Sequence, residues 1–331
     1  MISAVECTMK VVMINDCAYV GETLLKYFPS GIEKQHITRT RGLWNKTFGV
    51  AYKILRAKGD LYHAHYLLQD CYIASLFGKK PLVGHAHGSD LRETLRSRRW
   101  GRIVKSNLRS CNKILVAQPT VLGVAKEYSE TAEYFPIPFD PEMFFPKALP
   151  EKKSEYYVFL ASAHDFNVKG TDKLLRAVSL VPEKIKVKSF DAGKDLEKTK
   201  RLAEELKLDI DFISRVPHQK MNELFWESDL VLGSFAVGRQ HLDTVAIEAM
   251  ACGRPVVHSV QKEFFPTCPL EELKDPAATA EIISRLLSNS KEKENRIQQQ
   301  LSYVNTTHAA PLLVEKLLKI YSTLSAEKTS S

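Results

Sequence analysis

Apolar and polar positions along the chain alternate between two rhythms. Short β-branched runs recur as KVVMIND (10–16), LYHAHY (61–66), PLVGHAH (81–87) and KILVAQP (113–119). They recur again as YYVFLAS (156–162), KVKSFDA (186–192), IDFISRV (210–216), LVLGSF (230–235) and PVVHS (255–259). Between them lie stretches with helical spacing: ETLLKYF, LWNKTFGVAYKILRAKG and 91–109 in the first half, then 170–180, 196–207, 218–228 and 244–252. Strands alternating with helices of this length predict right-handed βαβ units and parallel sheets covered on both faces.

Residues 136–155, PIPFDPEMFFPKALPEKKSE, hold five prolines and end in charge, which suits a connection. The pattern therefore predicts two doubly wound, Rossmann-like α/β domains facing a cleft. The first is expected over 1–140, a linker over 141–155 and the second over 156–305. A last helix over 306–325, with Leu313, Leu317, Ile320 and Leu324 on one stripe, must dock on something, and the first domain is the expected place.

Composition narrows the class. A chain of 331 residues with 44% hydrophobic and 26% charged content can bury a sizeable core. No uninterrupted apolar run is long enough to span a bilayer. Glu6 and Lys10 interrupt the segment a secretory signal would need, so a cytoplasmic protein is expected. The six cysteines show no Cys-x-x-Cys pair and read as reduced packing residues. Neither first strand is followed by Gly-x-Gly-x-x-Gly, which disfavours a nicotinamide oxidoreductase.

The net charge of +8 is uneven: residues 1–145 hold 20 basic and 13 acidic side chains, the remainder 27 and 26. The first domain should thus meet something anionic. Its segment LRETLRSRRWGRIVKSNLR (91–109), read as one helix, puts Arg98, Arg102, Lys105 and Arg109 on a common face. A solvated face is the plain reading. A face for anionic lipid headgroups or a phosphate-bearing acceptor is the favoured one. Nucleic acid is not expected, because no aromatic platform accompanies the charge.

Ligands of open α/β sheets bind at the carboxyl ends of strands. After LVLGSF the chain reaches Asp243, a natural N-cap whose carboxylate would take the Thr244–Ala246 amides, and then TVAIEAMAC, apolar on every side except at Glu248. An ionised carboxylate there needs partners. A core salt bridge or service to backbone amides is the plain reading, and accepting from paired sugar hydroxyls the sharper one. In the first domain His87 precedes a Gly-Ser turn, and Gly21 follows the first strand where a ligand would need close approach. His63/His65 and His85/His87 repeat one spacing, and with Asp90 they hint at a metal. With no third ligand spacing in support, no metal is expected.

These residues carry a resemblance. IEAMACGRPVV, with Gln240 eight positions before Glu248, resembles the E-x7-E region of family 4 retaining glycosyltransferases. VKGTDKLL (168–175), IPFDPEMFFP (137–146), VPHQKMNELFWESDLVL (216–232), HAHGSD (85–90) and VNTTHAAPLLVEKLLKIY (304–321) are similar to further stretches of that family, in order and over most of the chain. The resemblance implies a GT-B fold and retaining transfer from a nucleotide sugar, UDP- or GDP-linked, which serves as co-substrate with no other cofactor. It implies that Lys169 meets the diphosphate and Glu248 the ribose, while His87 and Gln240 orient the sugar. Gly170, Thr244, His164 and Arg239 would complete the donor site, with Gly21, Asp90 and Arg92 on the acceptor side.

Three positions depart from the family pattern: Gln240 for glutamate, His164 for arginine, and Leu242-Asp243-Thr244 for Phe-Gly-Leu. The expected partners are a nucleotide-sugar donor, a lipid-linked or glycan acceptor and an anionic membrane at its inner face. The alternatives are a non-catalytic scaffold with a degenerate donor site and, less favoured, a nucleotide-sugar epimerase.

Overall fold

The computed structural model describes residues 9–39, 48–150, 154–235 and 241–330. The chain divides into two compact units. The first comprises Met1–Pro138 with Ala310–Ser331, the second Phe139–Ala309.

The first unit is built on a parallel sheet of β1 (Met9–Ile14), β2 (Ile32–Ile37), β3 (Leu61–His65), β4 (Leu82–Ala86), β5 (Lys113–Val116) and β6 (Ala132–Tyr134), in the order β2-β1-β3-β4-β5-β6. The inner strands β3 and β4 are buried at every position, as a sheet covered on both faces requires. The apolar pattern does not reveal β2 or β6. The first, IEKQHI, is an edge strand whose only fully buried side chain is Ile37, so polar residues dominate it. The helix Ala310–Ser330 belongs to this unit, with Leu313, Val314, Leu317, Tyr321 and Leu324 buried.

The second unit has a parallel sheet of β7 (Tyr156–Leu160), β8 (Ile185–Phe190), β9 (Asp209–Ile213), β10 (Leu230–Leu232) and β11 (Val256–Val257), ordered β11-β10-β7-β8-β9. The order reverses between β7 and β10, so the loops after these two strands diverge and leave a crevice. Val158, Leu160, Leu230, Leu232 and Val257 meet Leu174, Leu175, Ile283 and Leu286 in the core beneath it.

The basic segment is not one helix. It forms Ser89–Arg92, a 3₁₀ turn Thr94–Arg96 and a separate helix Trp100–Ser110. Ser97 is extended, with its hydroxyl 3.4 Å from the Trp100 amide and its carbonyl accepting from Gly101, so it starts a new helix. Gly101 lets the two pieces close up, since a Cβ there would stand 2.3 Å from the Leu95 carbonyl oxygen. Arg98 therefore lies off the helix that carries Arg102, Lys105 and Arg109.

Candidate functional site

The crevice of the second unit collects most of the residues singled out there. The loop after β7 brings His164, Lys169 and Gly170. Asp243 and Thr244 arrive on the far side of the loop after β10, at the start of the helix Thr244–Ala251. Gly170 sits in the left-handed region (φ 63°) immediately before the helix Thr171–Ser179, a conformation that costs a residue with a Cβ. The two loops are tied together, because the Lys169 carbonyl accepts from the Phe235 amide at 2.7 Å.

Asp243 departs from its expected role. Its backbone is extended as a cap requires, and its carbonyl accepts from the Ala246 amide, but its side chain caps nothing. Instead Oδ2 lies 2.6 Å from Lys169 Nζ and Oδ1 2.8 Å from His241 Nε2. Burial alone would raise this carboxyl, but Lys169 and His241 reverse the effect and hold it well below the usual range. The lysine ammonium, a charged donor, and the His241 imidazole outcompete a backbone amide for the same oxygens. The Lys169 ammonium is thus fixed at the mouth of the crevice by a carboxylate the sequence had assigned elsewhere.

Behind this pair stands His258, fully buried at the end of β11. Its Nδ1 accepts from the Ser234 amide at 3.0 Å, and its Nε2 donates to the His241 carbonyl at 2.7 Å. Burial pushes it down to about 4, which keeps it neutral and able to accept at Nδ1. Gly233 is required beside it, because a Cβ there would fall 2.2 Å from Nδ1.

Glu248 is 3% exposed, and its Oε1 lies 2.7 Å from His218 Nε2. Burial raises its carboxyl while His218 draws it back. The partner sits on the 3₁₀ turn His218–Lys220, just before the helix Met221–Glu227. Sequence reasoning missed His218 and His258 because their partners lie 17 to 30 residues away along the chain, and it passed over His241, two positions before the Asp243 it meets.

His164 is buried and turned into the sheet, with Nε2 2.9 Å from the Phe190 carbonyl oxygen. Burial lowers its pKa, so it does not supply the positive charge of the arginine it replaces in the resembled pattern. Arg239 and Gln240 lie outside the described residues.

In the first unit, His87 follows β4 and is half-buried, with Nε2 2.9 Å from His65 Nδ1. Asp90 is buried and turned to the backbone. Its two oxygens meet the amides of Leu67, His87, Gly88 and Leu91 at 2.9 to 3.4 Å, pinning the loops after β3 and β4. Arg92 reaches Thr120 Oγ1 at 3.3 Å and packs under Gly88. The smallness of Gly21 serves neighbouring side chains, since a Cβ there would stand 3.0 Å from His65 Nε2 and 3.3 Å from Asp16.

Four of the five described non-glycine residues with positive φ (Asn15, Ala18, Tyr19 and Tyr66) cluster just after β1 and β3, where this sheet's order also reverses. Such strain persists only where the surroundings impose it. On the basic helix, Lys105 and Arg109 both lie 5.7 Å from the Tyr128 ring centre, and Arg102 is exposed.

Residues 144–301 match the family model described as Glycosyl transferases group 1. No curated protein matches the chain. Among solved structures it is similar to Anabaena HepE in complex with UDP-glucose, with a TM-score of 0.74 at 16% identity over 96% of this chain and 100% of that one. It is also similar to an S. aureus TarM mutant bound to fondaparinux, alpha-GlcNAc-glycerol and UDP (TM-score 0.63, 15% identity, 82% of this chain and 58% of that one). A third similar structure is the lipopolysaccharide outer core galactosyltransferase WaaB in its apo form (TM-score 0.62, 12% identity, 96% and 100%). At these identities the likeness is one of fold, and that fold is GT-B.

Proposed function

We propose that this chain, a group 1 glycosyltransferase by its match over residues 144–301, moves a sugar with retention from a nucleotide-diphosphate donor to a lipid-linked or glycan hydroxyl. The observation that carries the reading is the gathering of Lys169, Gly170 and the N-terminus of the helix Thr244–Ala251 at the switch point of the second sheet, with Glu248 a little over one turn inside that helix. A diphosphate gains negative charge as it departs, and a fixed ammonium beside backbone amides stabilises that charge where it develops. The Lys169–Asp243 pair keeps the ammonium in place before substrate arrives.

In the step itself, the bond from the anomeric carbon to the diphosphate oxygen breaks and one to the acceptor oxygen forms. The acceptor proton passes to the departing phosphate. Gln240 cannot act as a nucleophile or base, so the acceptor approaches on the face the diphosphate leaves. Glu248 holds the ribose hydroxyls and His218 orients it. By the resemblance, His87 of the first unit is assigned to orienting the sugar. UDP in the HepE and TarM complexes favours a uridine donor. The basic helix Trp100–Ser110 supports an anionic acceptor or membrane at the inner face.

One observation favours a non-catalytic reading: Asp243 and His218 already engage Lys169 and Glu248. Thermal shift with UDP, GDP, ADP and their sugars, on wild type and Glu248→Ala, separates the two. One nucleotide should raise the midpoint, adding about 2.7 kcal/mol at a hundred times its Kd, and the gain should vanish in the variant. No shift from any of them gives the scaffold reading.

A further inference from the structure

Inside the first unit lies a cluster that the transfer reaction does not use. His63 and His65 share a face of β3, and β4 brings His85 opposite His65 in register. All three are fully buried. One ring nitrogen from each lies within 4.8 Å of the others. His63 Nε2 and His85 Nδ1 are already 3.2 Å apart, near the roughly 3.3 Å between two nitrogens on one tetrahedral zinc ion at 2.0–2.1 Å from each.

One feature beyond the spacing supports a ligand. His63 has the outer support that metal-bound histidines have, since its Nδ1 lies 2.5 Å from the hydroxyl of Tyr321 on the C-terminal helix. Asp16, across Gly21 from His65, is a nearby negative charge, and Met13 Sδ lies 3.1 Å from His65 Nε2.

We propose that His63, His65 and His85 form a structural site for one transition-metal ion of the zinc class, oriented by Tyr321. Imidazole ligands suit zinc, copper, nickel or iron over magnesium or calcium. Full burial gives the ion no opening for substrate, so it joins β3 and β4 to the C-terminal helix and takes no part in transfer. The site stands whether or not the chain turns over a nucleotide sugar.

The test is metal content of the full chain expressed with zinc, followed by chelation and refilling with cobalt(II), alongside His85→Phe and Tyr321→Phe. The phenylalanine at 85 keeps the volume beside Phe135, which meets the His85 ring edge-on at 5.6 Å. Wild type should hold about one equivalent, show visible cobalt(II) bands and melt higher when loaded. His85→Phe should lose both metal and bands. Tyr321→Phe keeps every ligand and should bind roughly 10–100-fold more weakly. If folded wild type takes up no stoichiometric zinc or cobalt, or if His85→Phe binds with the same spectrum, the cluster is a hydrogen-bonded imidazole stack and the proposal is wrong. Should His85→Phe fail to fold, the wild-type stoichiometry and the Tyr321→Phe affinity still decide.

Discussion

At the scale of single residues, the candidate site depends on how one lysine is held. Lys169 is paired with Asp243 at 2.6 Å, and His241 shares that carboxylate. If the ammonium meets the leaving diphosphate, Lys169→Ala should raise the barrier by about 2–4 kcal/mol, a loss of roughly thirty-fold to a thousand-fold in kcat. Steady-state kinetics with the donor found by thermal shift measure it, and an unchanged kcat removes Lys169 from the role. The sequence placed Lys169 and Gly170 correctly before a helix. It could not place Asp243, because an N-cap and an ion-pair partner look alike until the opposite loop arrives. It gave Glu248 no partner because His218 is thirty residues away along the chain.

At the scale of elements, the basic helix Trp100–Ser110 shows how a short polar signal redirects a long pattern. Val104, Asn107 and Leu108 are buried, and Asn107 donates to the Leu68 carbonyl at 2.9 Å, so its orientation on the unit is fixed. Arg102 is exposed, while Lys105 and Arg109 lean on Tyr128. Each basic residue near an anionic surface contributes about 1 kcal/mol. Reversing Arg102, Lys105 and Arg109 to Glu should abolish flotation with anionic liposomes while leaving the fold intact by circular dichroism. Persistent flotation makes this a solvated face. The break at Ser97 was legible in principle, since a serine three residues before Trp100 is a cap signal. The seven basic residues around it drew attention to charge instead.

At the scale of the whole molecule, the C-terminal helix decides how much chain the first unit needs. Leu313, Val314, Leu317, Tyr321 and Leu324 are buried there, at about 1.5–3 kcal/mol for each large apolar side chain. Their sum is comparable with the entire stability of an ordinary domain. Ending the chain after Ala309 should therefore unfold the first unit and spare the second. Hydrogen exchange should show β1 and β3 losing protection while β7 and β10 keep theirs. Equal loss in both sheets would mean the helix supports the second unit as well.

The sequence by itself determined the two parallel α/β units, nine of the eleven strands among the described residues, the switch-point loops and the resemblance that led to a sugar donor. These follow from local alternation of apolar and polar residues and from short motifs, both readable along the chain. Only the tertiary structure decided that Asp243 pairs with Lys169, that His218 meets Glu248, that Asp90 is spent on backbone amides and that His63, His65, His85 and Tyr321 converge. The reason is physical. A buried charge or imidazole is satisfied by whatever the packing brings within hydrogen-bonding distance, and in a parallel sheet that partner comes from another strand or a distant helix, at a separation no local pattern encodes.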